Sequence, residues 1–267
     1  MSLHPEPTPS PENYVTPLLP RGFWARRLPS PLFYLGMLAS LRRAARAIKA
    51  GRPGRREEML RQSYLILHAL ERVGGRARVE NAAAFAGLPG PFVFVGNHMS
   101  SLETLTLPWI IGTRHPITFV VKAGLMKLPW LGTVLEEMEA IQVGRDNPRR
   151  DLEAVLREGT ERLQRGISVV IFPQAHRTAE VGPDSFNTLG VKLARRAGVP
   201  LVSLAIRSDA WGMGRVIKDL GRIDPSREVL FSFDEPISPD LPSREAMTRV
   251  TGFICGRLNR PVDPEEL

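Results

Sequence analysis

Cysteine is nearly absent: Cys255 is the single one among 267 residues. A lone thiol forms no internal disulfide, so nothing here requires an oxidising compartment. Its neighbours Phe253 and Ile254 suit a half-buried helix position. Also missing is any run of the roughly 18 to 20 uninterrupted apolar residues that a bilayer-spanning helix needs. The opening residues, MSLHPEPTPSPENY, have neither the basic start nor the apolar core of a secretion signal. The expected location is therefore the cytoplasm or the cytoplasmic side of a membrane. There is no Cys/His spacing for a metal, no helix-turn-helix signature and no interleaving of basic and aromatic residues. Nucleic acid is accordingly not expected as a partner. No internal repeat is visible.

What is present is enough apolar content, 43%, for one sizeable domain. Lys and Arg number 36 against 28 Asp and Glu, a formal charge of +8 with His neutral. Such a surface favours anionic partners, and charge alone does not choose among nucleic acid, anionic lipid and a phosphorylated substrate.

Three regions follow from composition. Residues 1–20 are rich in Pro and small polar residues and read as a disordered or loosely attached tail. Residues 21–74 read as N-terminal amphipathic helices. Phe23-Trp24 and Pro31–Leu41 are aromatic-rich and apolar, and Arg42, Arg43, Arg46 and Lys49 follow. An interfacial helix looks like this, its apolar face in the lipid boundary and its cations on lipid phosphates. An ordinary amphipathic helix packed on the domain would look the same. Gly51 to Gly54 breaks the segment, and 56–73 repeats apolar residues at helical spacing.

From residue 75 to 267, strand-like and helix-like stretches alternate. Residues 92–95, 117–121, 167–172, 200–206 and 229–233 read as strands; 151–164, 188–196 and 243–258 read as helices. This predicts an α/β fold with a mixed, largely parallel central sheet flanked by helices. Ligands of such sheets bind beyond the carboxyl ends of the strands, and two polar clusters fall there. One follows 92–95: Gly96-Asn97-His98-Met99-Ser100-Ser101-Leu102-Glu103. The other follows 167–172: Pro173-Gln174-Ala175-His176-Arg177-Thr178.

An imidazole beside a carboxylate can take a proton from a hydroxyl, the carboxylate holding the tautomer and stabilising the imidazolium. His98 and Glu103 are five residues apart, about 140° of rotation on one helix, so they do not share a helix face. They meet if His98 lies in the strand-to-helix loop and Glu103 in the first helical turn. Ser100 to Glu103 equally fits a capping box, with Glu103 reaching back to the Ser100 N–H. In the second cluster, the Arg177 guanidinium could hold a phosphate by two hydrogen bonds.

Together these residues resemble the glycerolipid acyltransferases related to 1-acylglycerol-3-phosphate acyltransferase. That family shows Asn-His-x-Ser-x-x-Asp, then Lys-x-x-Leu-x-x-x-Pro-x-x-Gly, then an Arg after a short strand, then Phe-Pro-Glu-Gly-Thr-Arg-Ser and a Val-Pro ahead of an apolar strand. In the same order this chain has Asn97 to Glu103, Lys122 to Gly132, Ile141 to Arg145, Phe172 to Thr178 and Val199-Pro200. The resemblance covers about residues 75 to 235, and it implies a glycerol-3-phosphate acyltransferase-like fold. It also implies that His98, oriented by Glu103, deprotonates a hydroxyl of a glycerolipid acceptor, which attacks the thioester of acyl-CoA or acyl-carrier protein. No acyl-enzyme is implied, in keeping with the lack of a Gly-x-Ser-x-Gly elbow, and no cofactor or metal. Asn97 and Ser100 would support the loop and line the substrate site. Lys122, Arg145, His176 and Arg177 would meet phosphates, and Gln174 the acceptor. The membrane surface would be a peripheral partner, through the N-terminal helices.

The departures from the family pattern that bear on the site are these. Glu103 replaces Asp and reaches one methylene further, keeping the charge. Gln174, Ala175 and His176 replace Glu, Gly and Thr, so the second cluster loses a carboxylate while keeping Phe172, Pro173 and Arg177. The changes bear on which acceptor is used.

Overall fold

The computed structural model describes residues 11–17, 20, 22–144, 146–174, 182, 186–214 and 220–259. Seven strands form one sheet in the order β1-β7-β6-β2-β5-β3-β4. They are β1 (Arg76–Glu80), β2 (Val93–Gly96), β3 (Ile117–Lys122), β4 (Ile141–Val143), β5 (Ser168–Ile171), β6 (Leu201–Arg207) and β7 (Glu228–Phe233). Strands β6, β2, β5, β3 and β4 run parallel; β7 pairs antiparallel with β6, and β1 parallel with β7. The mixed, largely parallel sheet predicted from the alternation is present. Strands β2 and β5 are buried throughout, as expected of parallel strands covered on both faces.

One consequence of this order positions the site. The carboxyl ends of β2, β5, β3 and β6 share one edge, and the segments following them — 97–101, 172–174, 123–130 and 208–214 — emerge there side by side. Helix α5 (Leu102–Ile110) carries the chain away from that edge after β2. Helix α8 (Leu189–Ala197) packs directly on β2, where Gly190 meets Val95 with no room for a Cβ.

Three helices precede the sheet: α1 (Phe23–Arg27), α2 (Pro29–Lys49) and α3 (Arg55–Arg72). The turn between α2 and α3 uses Gly51 at φ 59° and Gly54 at φ 76°, conformations that cost glycine little. Helix α2 buries Phe33, Met37, Leu41, Ala44 and Ala45 at helical spacing while Leu35 and Leu38 remain exposed. One face of the helix is therefore core, as an amphipathic helix packed on the domain requires, and another faces outward. The start of α2 is tied to the chain beyond β6, where Tyr34 donates to the Gly221 carbonyl at 2.6 Å and Trp211 packs edge-on to Phe33 and Tyr34. No helix among the described residues is long and apolar enough to cross a membrane.

The reading of residues 1–20 as a loose tail is corrected for Tyr14 to Thr16. Thr16 N–H donates to the Ala77 carbonyl (2.9 Å) and Val79 N–H to the Tyr14 carbonyl (2.8 Å). The Tyr14 ring packs against Trp109 and Tyr64. The Tyr14 and Thr16 hydroxyls both donate to the buried Glu71 carboxylate, at 2.7 and 2.8 Å. One aromatic in a polar stretch found a pocket, which composition averages out. Residues 1–10 lie outside the described ones.

Candidate active site

Strand β2 ends at Gly96 and the chain turns. Asn97, fully buried, donates from its amide to the Ile206 carbonyl (2.7 Å) and accepts from the Ile206 N–H (2.8 Å). This extends the β2–β6 pairing by one side chain and anchors the loop bearing His98. The His98 ring lies flat on Phe172, centroids 4.5 Å apart and planes 7° apart, so two successive strand ends clamp its orientation. Its Nδ1 is 3.0 Å from Glu103 Oε1. With Nδ1–H donating to that carboxylate, neutral His98 carries its basic lone pair on Nε2.

Glu103 is 0% exposed. Its Oε1 accepts from His98 and from the backbone N–H groups of Met99 (2.7 Å) and Ser100 (2.8 Å). Its Oε2 accepts from the hydroxyls of Ser100 (2.9 Å) and Ser208 (2.8 Å). One carboxylate oxygen thus makes both contacts that the sequence allowed, to the N–H groups at the start of α5 and to the imidazole. Burial by itself pushes the carboxyl up. The hydrogen bond and charge of His98, with the Ser100 and Ser208 donors, outweigh it and hold the group below the usual carboxylate range.

A stability prediction follows from that sign. A carboxyl whose folded pKa lies below its unfolded value stabilises the fold above the unfolded value, about 4.3 for Glu, and loses this contribution as pH falls through the folded value. Wild type should lose thermal stability relative to Glu103→Gln as the pH is lowered from 5 to 3, measured as parallel melting curves. Parallel declines of the two proteins would contradict it.

The second cluster comes to the same place. Gln174 is buried, and its Oε1 accepts the His98 N–H at 2.6 Å, which fixes the sense of the amide. Lys122, at the carboxyl end of β3, is exposed on the same edge two strands from β2. Arg145, His176 and Arg177 lie outside the described residues. Asn97 and Ser100 support the loop as expected. Asn97 is bonded to Ile206, and Ser100 to Glu103, Ser208 and the Leu102 N–H.

Ser208 escaped the sequence reading, and Phe172 stood in it only as a retained residue of the second block. Ser208 completes the Glu103 cage from the strand next to β2, and Phe172 provides the face on which His98 stacks. A usable signal existed for Ser208: like His98 and Gln174, it stands just past the end of an apolar strand, Leu201–Arg207.

The sheet and its edge define an α/β protein with a carboxylate-oriented histidine as its candidate base. The chain belongs to the Acyltransferase family, whose model matches residues 72–207. It is 31% identical over 115 residues to the 1-acyl-sn-glycerol-3-phosphate acyltransferase of Pseudomonas aeruginosa, covering 43% of this chain and 44% of that protein. The protein of the same name from Bacillus subtilis is 26% identical over 182 residues, covering 67% and 83%. The crystal structure of the 1-acyl-sn-glycerophosphate acyltransferase of Thermotoga maritima superposes with a TM-score of 0.68 at 19% identity, covering 89% of this chain and all of that one, a likeness of fold. The match to the Pseudomonas protein spans under half of its length.

Proposed function

We propose that this protein transfers a fatty acyl group from acyl-CoA or acyl-carrier protein to the hydroxyl of a lysophosphatidate-like glycerolipid. The observation that carries this reading is the His98 Nδ1–Glu103 Oε1 contact of 3.0 Å at the carboxyl edge of the sheet, in a chain of the Acyltransferase family. His98 Nε2 takes the proton as the acceptor oxygen bonds to the thioester carbon. The tetrahedral intermediate then expels the thiolate, and the imidazolium returns the proton to sulfur. The imidazole gains a proton as it acts, and Glu103 is placed to stabilise the imidazolium. No acyl-enzyme is needed. Lys122, Arg145, His176 and Arg177 are the candidate partners for phosphate groups, and Gln174 borders the acceptor. No cofactor is required beyond the acyl thioester.

A second acceptor class is favoured by one observation. The position where the family carries Glu is here the amide of Gln174, bonded to the His98 backbone. A neutral group there suits a lysophospholipid or polar alcohol other than lysophosphatidate. Crossing acyl-CoA and acyl-carrier-protein donors with a panel of such acceptors decides between them. Lack of transfer with every pair, alongside tight lipid binding, would instead make this a lipid-binding relative.

The same reading places the protein peripherally on the cytoplasmic face of the membrane through α1 and α2. Trp24 is 65% and Leu35 66% exposed. The double substitution Trp24→Gln, Leu35→Gln should lower co-sedimentation with phospholipid vesicles without lowering the melting temperature, because neither side chain is in the core. Unchanged sedimentation would leave α2 as a packing helix only.

A further inference from the structure

The exposed large apolar residues of this protein are unevenly distributed. Phe23, Trp24, Leu28, Leu35 and Leu38 belong to α1, α2 and their junction, and Met213 and Leu220 to the connection after β6, to which the start of α2 is bonded. The start of α2 is thereby held on the β6 side of His98, and α2 runs on from there until Ser40, Leu41 and Ala44 stand beside Leu131, Val134 and Leu135. On the other side, past β5, stands Leu128-Pro129-Trp130 in the connection from β3 to helix α6 (Leu131–Glu137). Leu128 is 43% and Trp130 36% exposed, and Pro129 is exposed as well. Strand β3 is two places from β2, roughly 10 Å along the edge at about 4.8 Å per strand.

Two properties of this tip are not explained by folding. Trp130 holds φ 61° and ψ −42° at the start of α6, a conformation unfavourable to a bulky L-residue, and its side chain makes no cap there. An exposed aromatic in a strained backbone destabilises the fold, and such strain is retained where the side chain has a use outside the core. The stretch Lys122 to Gly132 also carries two cations, Lys122 and Lys127, both exposed, and no acid. An apolar tip with Trp at its end and Lys at its base matches a lipid–water boundary. The indole sits at headgroup level there, and the ammonium groups meet anionic phosphates.

We infer that the Leu128–Trp130 tip is a second membrane foot, inserting into the headgroup region of an anionic bilayer on the side of His98 opposite the start of α2. The sheet's carboxyl edge then faces the membrane, with the base between two points of attachment. An acceptor whose acyl chain stays in the bilayer reaches His98 without leaving it entirely. The bilayer as the source of acceptor rests on the proposed function; the insertion of the tip does not.

The test is binding of the full chain to vesicles of phosphatidylcholine with phosphatidylglycerol, and of phosphatidylcholine alone. The variants are Trp130→Asn, Leu128→Gln and, as a control at the opposite edge ahead of β2, Leu88→Gln, whose leucine is 45% exposed. Trp130→Asn and Leu128→Gln should each weaken binding to the anionic vesicles roughly tenfold, the scale expected for one large apolar side chain kept out of lipid. Leu88→Gln should bind as wild type. Trp130→Asn should melt no lower than wild type, since the smaller side chain relieves crowding at φ 61°, ψ −42° and the indole it replaces lies at the surface. With a short-chain acceptor soluble without vesicles, both tip variants should turn over at the wild-type rate. Wild-type vesicle binding by both tip variants overturns the inference. So does an equal loss of turnover on the soluble acceptor, which would put the tip in the substrate pocket, or a change of oligomeric state with binding unchanged, which would assign the tip to a second copy of this chain. If wild type transfers no acyl group at all, the function falls while the vesicle result still decides the foot.

Discussion

His98→Ala should reduce acyl transfer by about 10²- to 10⁴-fold, the range for loss of a positioned general base, and leave the protein folded. Among the described residues at this edge, the imidazole is the group that the geometry equips with both a basic nitrogen and a carboxylate behind it. Its loss removes one of the five donors to Glu103, and the Met99, Ser100 and Ser208 donors remain. The Glu103 charge therefore stays solvated by the protein, and the loop stays closed. The lost stacking on Phe172 should cost about 1 kcal/mol of stability. Steady-state rates with a saturating donor, together with a melting curve, check both halves. A variant retaining near-normal turnover would refute the mechanism.

Glu103→Gln should have the second-largest effect, a loss of turnover on the order of 10², with a much smaller change in melting temperature. The cage around Glu103 explains the asymmetry. The amide oxygen of Gln can replace Oε1 and keep the two backbone N–H donors and the His98 Nδ1–H. The amide nitrogen replaces Oε2, where both partners are serine hydroxyls that can rotate and accept instead of donate. The shape of the loop survives while the charge that stabilises the imidazolium is gone. Glu103→Ala, by contrast, orphans the buried backbone donors and both hydroxyls, at roughly 1 to 3 kcal/mol each, and should destabilise the fold outright. If Glu103→Gln melted far lower yet kept its turnover, the carboxylate would be a cap and nothing more.

Much of this was legible along the chain. The strands at 92–95, 117–121, 167–172, 200–206 and 229–233 announce themselves because buried parallel strands must be continuously apolar. Strand β1 does not: Arg76-Ala-Arg-Val-Glu80 alternates charged and apolar residues, and its buried face consists of just Ala77 and Val79. Its partner in the sheet is β7, some 150 residues later, and no local pattern reports that pairing. The short β4 was marked only by its place in the family's series of blocks. Tyr14 was averaged into a Pro-rich tail because composition does not register one aromatic that fits one pocket.

The candidate base shows where each kind of information ends. The sequence by itself determined the α/β class, the position of His98 at the end of a buried strand, and an acid placed to meet it if a loop ended between them. It could not say whether Glu103 closes the helix start, meets His98, or does both. That depended on how the carboxylate's two oxygens were shared, and its partners include a serine 105 residues away. Only the tertiary structure brought Ser208, Phe172 and Gln174 around the histidine, because strand order, not chain order, sets which segments are neighbours at the edge. The same strand order put the Leu128–Trp130 tip on the edge that bears His98.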